Sequence, residues 1–221
     1  MQDQKTYLNI LDHKRLEILQ FLGFTKKNGL YLAGGTALAL QIGHRTSVDF
    51  DFYTPKKFKK GELFKHFKEV FSAKYSVKII RDFDDTFEID ISDVHLSCFY
   101  YSYKLIEKSI EIEGVKIASV EDIAAMKMVA ISQRGKRRDF VDMYYLIQKL
   151  ELENILDLTE KKFQEFDIYS GLRGLLYFSD ADQDREISRI KVFDRKLSWK
   201  KVKDYIQKKV SELQKRRGWY L

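Results

Sequence analysis

One proline and one cysteine stand in the whole chain of 221 residues. A single proline leaves no room for Pro-rich linkers or docking segments. The lone Cys98 cannot close an internal disulfide and fits a reducing compartment. No apolar run approaches the roughly 18 residues of a membrane span. The start, MQDQKTYLNILDHKRLEIL, lacks the basic-then-apolar order and small-residue cleavage site of a secretory signal. These absences place the expected location in the cytoplasm, with no membrane partner. His13, His44 and His66 are scattered without zinc-ligand spacing. There is no nucleophile elbow, and no lysine follows the Gly34-Gly35 pair as a P-loop requires.

What is present is a basic, aromatic-rich globular composition: net charge +7, 44% hydrophobic and 14% aromatic. The length suits one large domain or two small ones with a real core. Basic residues crowd the end, KLSWKKVKDYIQKKVSELQKRRGWY. Such a run points to a polyanionic partner, nucleic acid first, although a solvated helix face accounts for it equally.

Helical spacing of Leu8, Leu11, Leu16, Leu19 and Leu22 predicts a helix stopped by Gly23. LYLA, residues 30–33, reads as a buried strand, TALALQI as a short helix closed by Gly43, and VDFDFY as a strand ended by Thr54-Pro55. KKFKKGELFKHFKEVFS reads as a basic amphipathic helix with Leu63, Phe64, Phe67, Val70 and Phe71 inward. A meander of YSVKIIR, TFEIDI and VHLSCFYYS follows, turning at Asp84-Asp85 and Ser92-Asp93, and then a hairpin turning at Glu113-Gly114. From Ser119, a cap with Asp122 three residues on, the chain reads as helical to its end. The apolar face of the last helix is Trp199, Val202, Ile206, Val210 and Leu213. The class is therefore α+β: a mixed α/β part over residues 1–118, then a helical lobe over 119–221 that is expected to complete an active-site cleft.

One stretch, YLAGGTALALQIGHRTSVDFDFYTP, carries two features that a core does not need: two glycines before a short apolar helix, and two aspartates separated by one phenylalanine. Residues two apart on a strand share a face, so Asp49 and Asp51 point together while Val48, Phe50 and Phe52 pack behind. Two carboxylates on one face suit Mg²⁺, which takes oxygen ligands and keeps water and substrate phosphates in its shell. A pair of them can serve two ions in an in-line phosphoryl displacement. Gly34-Gly35, between strand and helix, lets backbone N–H groups approach a phosphate at a helix N-terminus, and Thr36 can cap that helix or touch the phosphate. The alternative is a tight turn followed by an exposed-face alternation.

GGTALALQIGHRTSVDFDF resembles the first motif of the DNA polymerase beta-type nucleotidyltransferases, and within them the AbiEii/AbiGii toxin family. SVEDIAAMKMVAISQRGKRRDFVDMYYLI resembles that family's later motifs, an I-A-x-x-K helix and a basic-Asp-x-x-Asp helix. The resemblance covers residues 31–147. It implies a polymerase beta-type core, a mixed or antiparallel sheet with flanking helices, followed by a C-terminal helical lobe. It further implies transfer of a nucleoside monophosphate from an NTP with two Mg²⁺ ions, tRNA ends as acceptors, and a cognate antitoxin. Gly34, Gly35 and Thr36 would bind triphosphate, with Ser47 as the small hydroxyl before the metal carboxylates Asp49 and Asp51. Lys127 would reach the nucleotide phosphates, and Asp139 and Asp142 would complete the pocket.

The residues alone leave alternatives. Lys127 lies in an apolar segment and either snorkels to solvent or meets a partner. Asp139 and Asp142, i and i+3 on one helix face, could serve as a capping pair bridged to Lys136, Arg137 or Arg138. Where polymerase beta-type enzymes commonly carry a third carboxylate, this chain has Ser97, a poor Mg²⁺ ligand and no base. Glu88 or Asp90 on the preceding strand, or His95 on the face of Ser97, are substitutes. Cys98 should face the core. Kinase-like transfer at the same site and nucleotide or antitoxin binding without turnover are the competing functions.

Overall fold

The computed structural model describes residues 5–219. The chain divides into two compact units. One takes the described residues up to Lys104 together with Lys108–Ser119; the other takes Leu105–Glu107 and everything from Val120.

Among the described residues of the first unit, strands β1 (Tyr31–Ala33), β2 (Phe50–Thr54), β3 (Val77–Phe83), β4 (Thr86–Ile91), β5 (Val94–Tyr100), β6 (Ile110–Ile112) and β7 (Val115–Ile117) form one mixed sheet. Its order is β3-β4-β5-β2-β1-β7-β6. β1 runs antiparallel to β2, and β2 parallel to β5. The hairpin turns at Ser92-Asp93 and Glu113-Gly114 hold positive φ at both central residues (47° and 72°; 49° and 74°). That geometry matches the strands' right-handed twist. Alternation then sorts the faces: Phe50 and Phe52 of β2, Leu96 and Cys98 of β5, and Phe87, Ile89 and Ile91 of β4 are all buried.

Three helices belong to this unit: α1 (His13–Phe21), α2 (Gly34–Ile42) and α3 (Lys60–Phe71). The first differs from expectation. A 3-10 turn over Leu8–Ile10 precedes α1, and Gly23 lies inside a second 3-10 segment, Leu22–Asn28. The stop comes at Gly29, which takes the left-handed conformation, φ 74°. On α3 the buried residues are Leu63, Phe67 and Phe71, four apart, and the Phe67 ring meets Phe24 at 5.0 Å. That stripe leaves Val70, expected to face inward, about 100° away from Phe71 and exposed.

The second unit holds α4 (Val120–Arg134), α5 (Arg137–Leu150), α6 (Leu152–Lys162), α7 (Ile168–Leu176), α8 (Ser179–Asp182) and α9 (Trp199–Arg217). α4 packs against α5, α6 and α7. α9 buries Val202, Ile206, Val210 and Leu213, while Trp199 is half-buried and donates its indole N–H to Asp182.

Candidate active site

The turn from β1 into α2 and the start of β2 meet side by side, because Ala33 pairs with Asp51 across the antiparallel ladder. Gly34 opens α2 with φ 70°, a conformation that costs an L side chain about 1–2 kcal/mol. A Cβ there would also stand 2.9 Å from Asp51 Oδ2. A Cβ on Gly35 would stand 2.3 Å from Nη2 of Arg45. The two glycines therefore admit a carboxylate and a guanidinium against the first turn of the helix. Arg45 is 1% exposed, one of the largest wholly buried side chains of the chain, and its Nη1 donates to the Thr46 carbonyl at 3.0 Å.

The segment leading to Asp49 is tied down from several sides. The Thr36 hydroxyl donates to the Asp49 carbonyl. A hydroxyl has one proton to give, so the 2.7 Å bond between Thr36 and Ser47 is donated by Ser47. Arg15 Nε donates to the Val48 carbonyl at 2.7 Å, and the Ser47 N–H to the Ile10 carbonyl at 3.3 Å. Thr36 and Ser47, expected to meet nucleotide, bond each other, and Thr36 ties the backbone from which Asp49 projects.

Asp49 and Asp51 are both half-buried. Asp51 pairs in register with Ser97 of β5, Ser97 with Glu88 of β4, and Glu88 with Arg81 of β3. Register partners share a face. The position of the usual third acid is thus held by the serine, only 4% exposed, and the next carboxylate in the row is Glu88. Glu88 lies 3.5 Å from both His95 Nε2 and Arg81 Nη1. Cys98 faces the other way, fully buried, and burial together with the charge of Asp51 raises its thiol pKa, which keeps the thiol protonated. Among the described residues no group of three or more His, Cys, Asp or Glu side chains is arranged to hold a metal ion. Asp49 and Asp51 offer two hard oxygen ligands, which suits Mg²⁺ if substrate phosphates and water fill the remaining positions.

The helical unit gathers the other predicted residues. Lys127 of α4 is 7% exposed, and its Nζ lies 2.7 Å from both Asp139 Oδ1 and Asp142 Oδ2 of α5. Of the two expectations for Lys127, the structure shows the partner and not solvent, and the partners are the two aspartates. The buried Oδ2 of Asp139 has no hydrogen-bond partner. Five residues earlier on α4, Asp122 makes a different kind of contact. Its carboxylate accepts from the N–H groups of Ile106 and Glu107 and pairs with Lys162 Nζ at 2.7 Å.

The structure brings Gly34, Gly35, Thr36, Ser47, Asp49 and Asp51 together in the sheet unit, and Lys127, Asp139 and Asp142 together in the helical unit. Sequence reasoning missed Arg45 and Arg15. The available signal was a lone arginine in GHRTS, four residues before the first of two same-face carboxylates.

The chain matches the nucleotidyl transferase AbiEii toxin family, type IV toxin–antitoxin system, over residues 21–214. It is 34% identical over 193 residues to an uncharacterised protein of Aquifex aeolicus, covering 84% of this chain and 88% of that one. JHP933 from Helicobacter pylori is a similar solved structure, with TM-score 0.58, 21% identity and 97% of each chain covered. MenT4, a nucleotidyltransferase toxin from Mycobacterium tuberculosis, is another, with TM-score 0.59, 14% identity, and 90% of this chain and 81% of that one covered. These likenesses show the fold: a polymerase beta-type nucleotidyltransferase sheet with flanking helices, followed by a C-terminal helical bundle.

Proposed function

This chain belongs to the AbiEii nucleotidyl transferase toxin family, and from that premise we propose that it transfers a nucleoside monophosphate from an NTP to an RNA end, with tRNA as the first candidate acceptor. The observation that carries the reading is the pair of half-buried carboxylates, Asp49 and Asp51, with Asp51 lying against the left-handed Gly34 at the start of α2. Asp49 and Asp51 would hold Mg²⁺, which when bound offsets charge on the phosphoryl oxygens. The first N–H groups of α2, opened by Gly34 and Gly35, bind the triphosphate. Thr36 and Ser47 keep Asp49 in place. Ser97 cannot take the proton of the attacking hydroxyl. That role falls to Glu88, the next carboxylate along the same sheet face, held by Arg81 and His95.

Lys127, Asp139 and Asp142 take part from the helical unit. The support is that this buried cluster leaves Asp139 Oδ2 without a hydrogen-bond partner, as a group that meets a ligand would be left. The toxin family supports a cognate antitoxin as a protein partner.

The test is label transfer. The protein is incubated with Mg²⁺, bulk tRNA and each α-labelled NTP in turn, beside the Asp51→Asn variant and a chelator control. Label moving to RNA with wild type, and falling roughly 10²–10³-fold in the variant, is the expected result. Label from a γ-labelled NTP reaching RNA instead would establish kinase-like transfer. No transfer from either position would point to binding without turnover, the reading that the buried Ser97 beside Asp51 favours.

A further inference from the structure

Beyond the carboxylates, the same sheet face carries aromatic side chains in mutual contact. Tyr53 is two residues past Asp51 on β2, so period two sets it on the carboxylate face. Its register neighbours are Tyr31 on β1 and Phe99 on β5. The Tyr53 ring lies 6.1 Å from Tyr31, 5.1 Å from Phe99 and 5.3 Å from Tyr101. Tyr101 continues to Tyr103 at 5.0 Å. Burial falls outward along the row: Tyr31 is 2% exposed, Tyr53, Phe99 and Tyr101 are half-buried, and Tyr103 is 43% exposed. The Tyr101 N–H donates to the Thr54 carbonyl at 2.8 Å, which fixes the outer rings at the end of β2. There the chain runs into the exposed Lys56 and Lys57, and Tyr103 runs into the exposed Lys104.

We propose that this row, Tyr53, Tyr101 and Tyr103, is a stacking platform for the unpaired bases of a single-stranded nucleic acid, with the lysines tracking its backbone. Each part has a physical reason. Every base has a π-face, so an aromatic row binds strands with little regard to sequence, while cations along the path supply the phosphate attraction. A core cluster has no need of an exposed outer tyrosine, and a site for one nucleotide has no need of a row several rings long. The direction is also suitable: the row begins two residues from Asp51 and leads away from it, as the trailing bases of an acceptor strand would. The platform deepens the transferase reading and rests on it for the strand's role as acceptor, but binding can be measured without turnover.

The experiment is fluorescence anisotropy of a labelled short single-stranded RNA, without Mg²⁺, for wild type, Tyr103→Ala, Tyr101→Ala/Tyr103→Ala, Tyr103→Trp and Asp51→Asn. An abasic strand of equal length is the second probe, and a mononucleotide the third. Thermal melts of each variant confirm folding, and Tyr103→Ala alters only the most exposed ring. The expected result is a loss of roughly tenfold for the double variant on RNA, a smaller loss for Tyr103→Ala, and retention by Tyr103→Trp. The abasic strand should bind wild type and double variant equally. Unchanged RNA binding by a folded double variant would overturn the proposal. So would an equal loss on the abasic strand, which means charge alone, or an equal loss on the mononucleotide, which means a single-base site. Asp51→Asn removes an anion two residues from Tyr53 and should bind RNA no more weakly than wild type; a loss equal to that of the double variant would put the strand's contact at the carboxylates and overturn the proposal. If wild type binds RNA in this pattern and yet transfers no label, the transferase reading fails and the platform stands.

Discussion

Two ionic clusters share helix α4 and obey different rules. Asp122 meets Lys162, both side chains fully buried, one charge against one, with the N–H groups of Ile106 and Glu107 completing the carboxylate's bonds. Lys127, five residues on, meets two carboxylates, and one buried carboxylate oxygen is left without a partner. A buried pair that is matched and fully hydrogen-bonded gives the fold a defined arrangement. A buried carboxylate oxygen without a partner costs stability. The first cluster pins residues 105–107 to the helical unit; the second leaves a buried acceptor open.

The largest effect that bears on this contrast is expected at the matched pair. Asp122→Ala strands Lys162 and two N–H groups, and should cost about 3–5 kcal/mol, measured by urea denaturation. A cost under about 1 kcal/mol would mean that the pair is not the pin described. Next comes the other buried cation, Arg45. Gly35→Ala pushes a methyl into its guanidinium and should cost about 1–3 kcal/mol, with transfer to RNA falling alongside. Wild-type stability in that variant would show that the guanidinium moves aside freely.

Asp139→Asn sharpens the contrast most directly. Neutralising the carboxylate whose Oδ2 has no partner lowers the cost of burying it, so stability should change by less than about 1 kcal/mol while transfer to RNA drops. A destabilisation equal to that of Asp122→Ala would make both clusters structural. The smallest effect is expected at the surface. A hydrogen bond and charge from Lys136, with Arg138 nearby, hold the Glu186 carboxyl below its ordinary 4.5. The stabilisation is therefore complete above pH 4.5 and is lost as pH falls through the lower folded value. Exposure keeps it within roughly 0–1 kcal/mol. The denaturation midpoint of Glu186→Gln should thus differ from wild type at neutral pH and converge with it in acid.

Much of the fold was legible because its signals are local. The alternation from Phe50 on, the Ser92-Asp93 and Glu113-Gly114 turns and the left-handed Gly43 are where the sequence reading puts them, while Val48 and Asp49, expected on the strand, lie just before β2 and Val48 is half-buried. Gly23 misled, because glycine permits a left-handed stop without requiring one, and the chain reached Gly29 before using it. Val70 misled because an apolar residue next to a stripe looks like part of it. In the site, Gly34, Gly35, Asp49 and Asp51 were readable as a unit. The bonds of their neighbours were not: Thr36 and Ser47 bond each other, and Thr36 the Asp49 backbone.

The sequence by itself determined most of the elements, the family motifs and the placing of two aspartates at the start of one strand, Asp49 just before β2 and Asp51 on it, since each depends on residues within a turn or two of one another. Only the tertiary structure decided what stands beside them. Strand register set Ser97 next to Asp51 across more than 40 positions of chain, and with it put Glu88, the hairpin partner of Ser97, in the same row. Helix packing chose Asp139 and Asp142 for Lys127, and Lys162, 40 residues away, for Asp122. The reason is that a buried charge is satisfied by whichever opposite charge the fold brings within reach, and that partner leaves no mark in the local pattern.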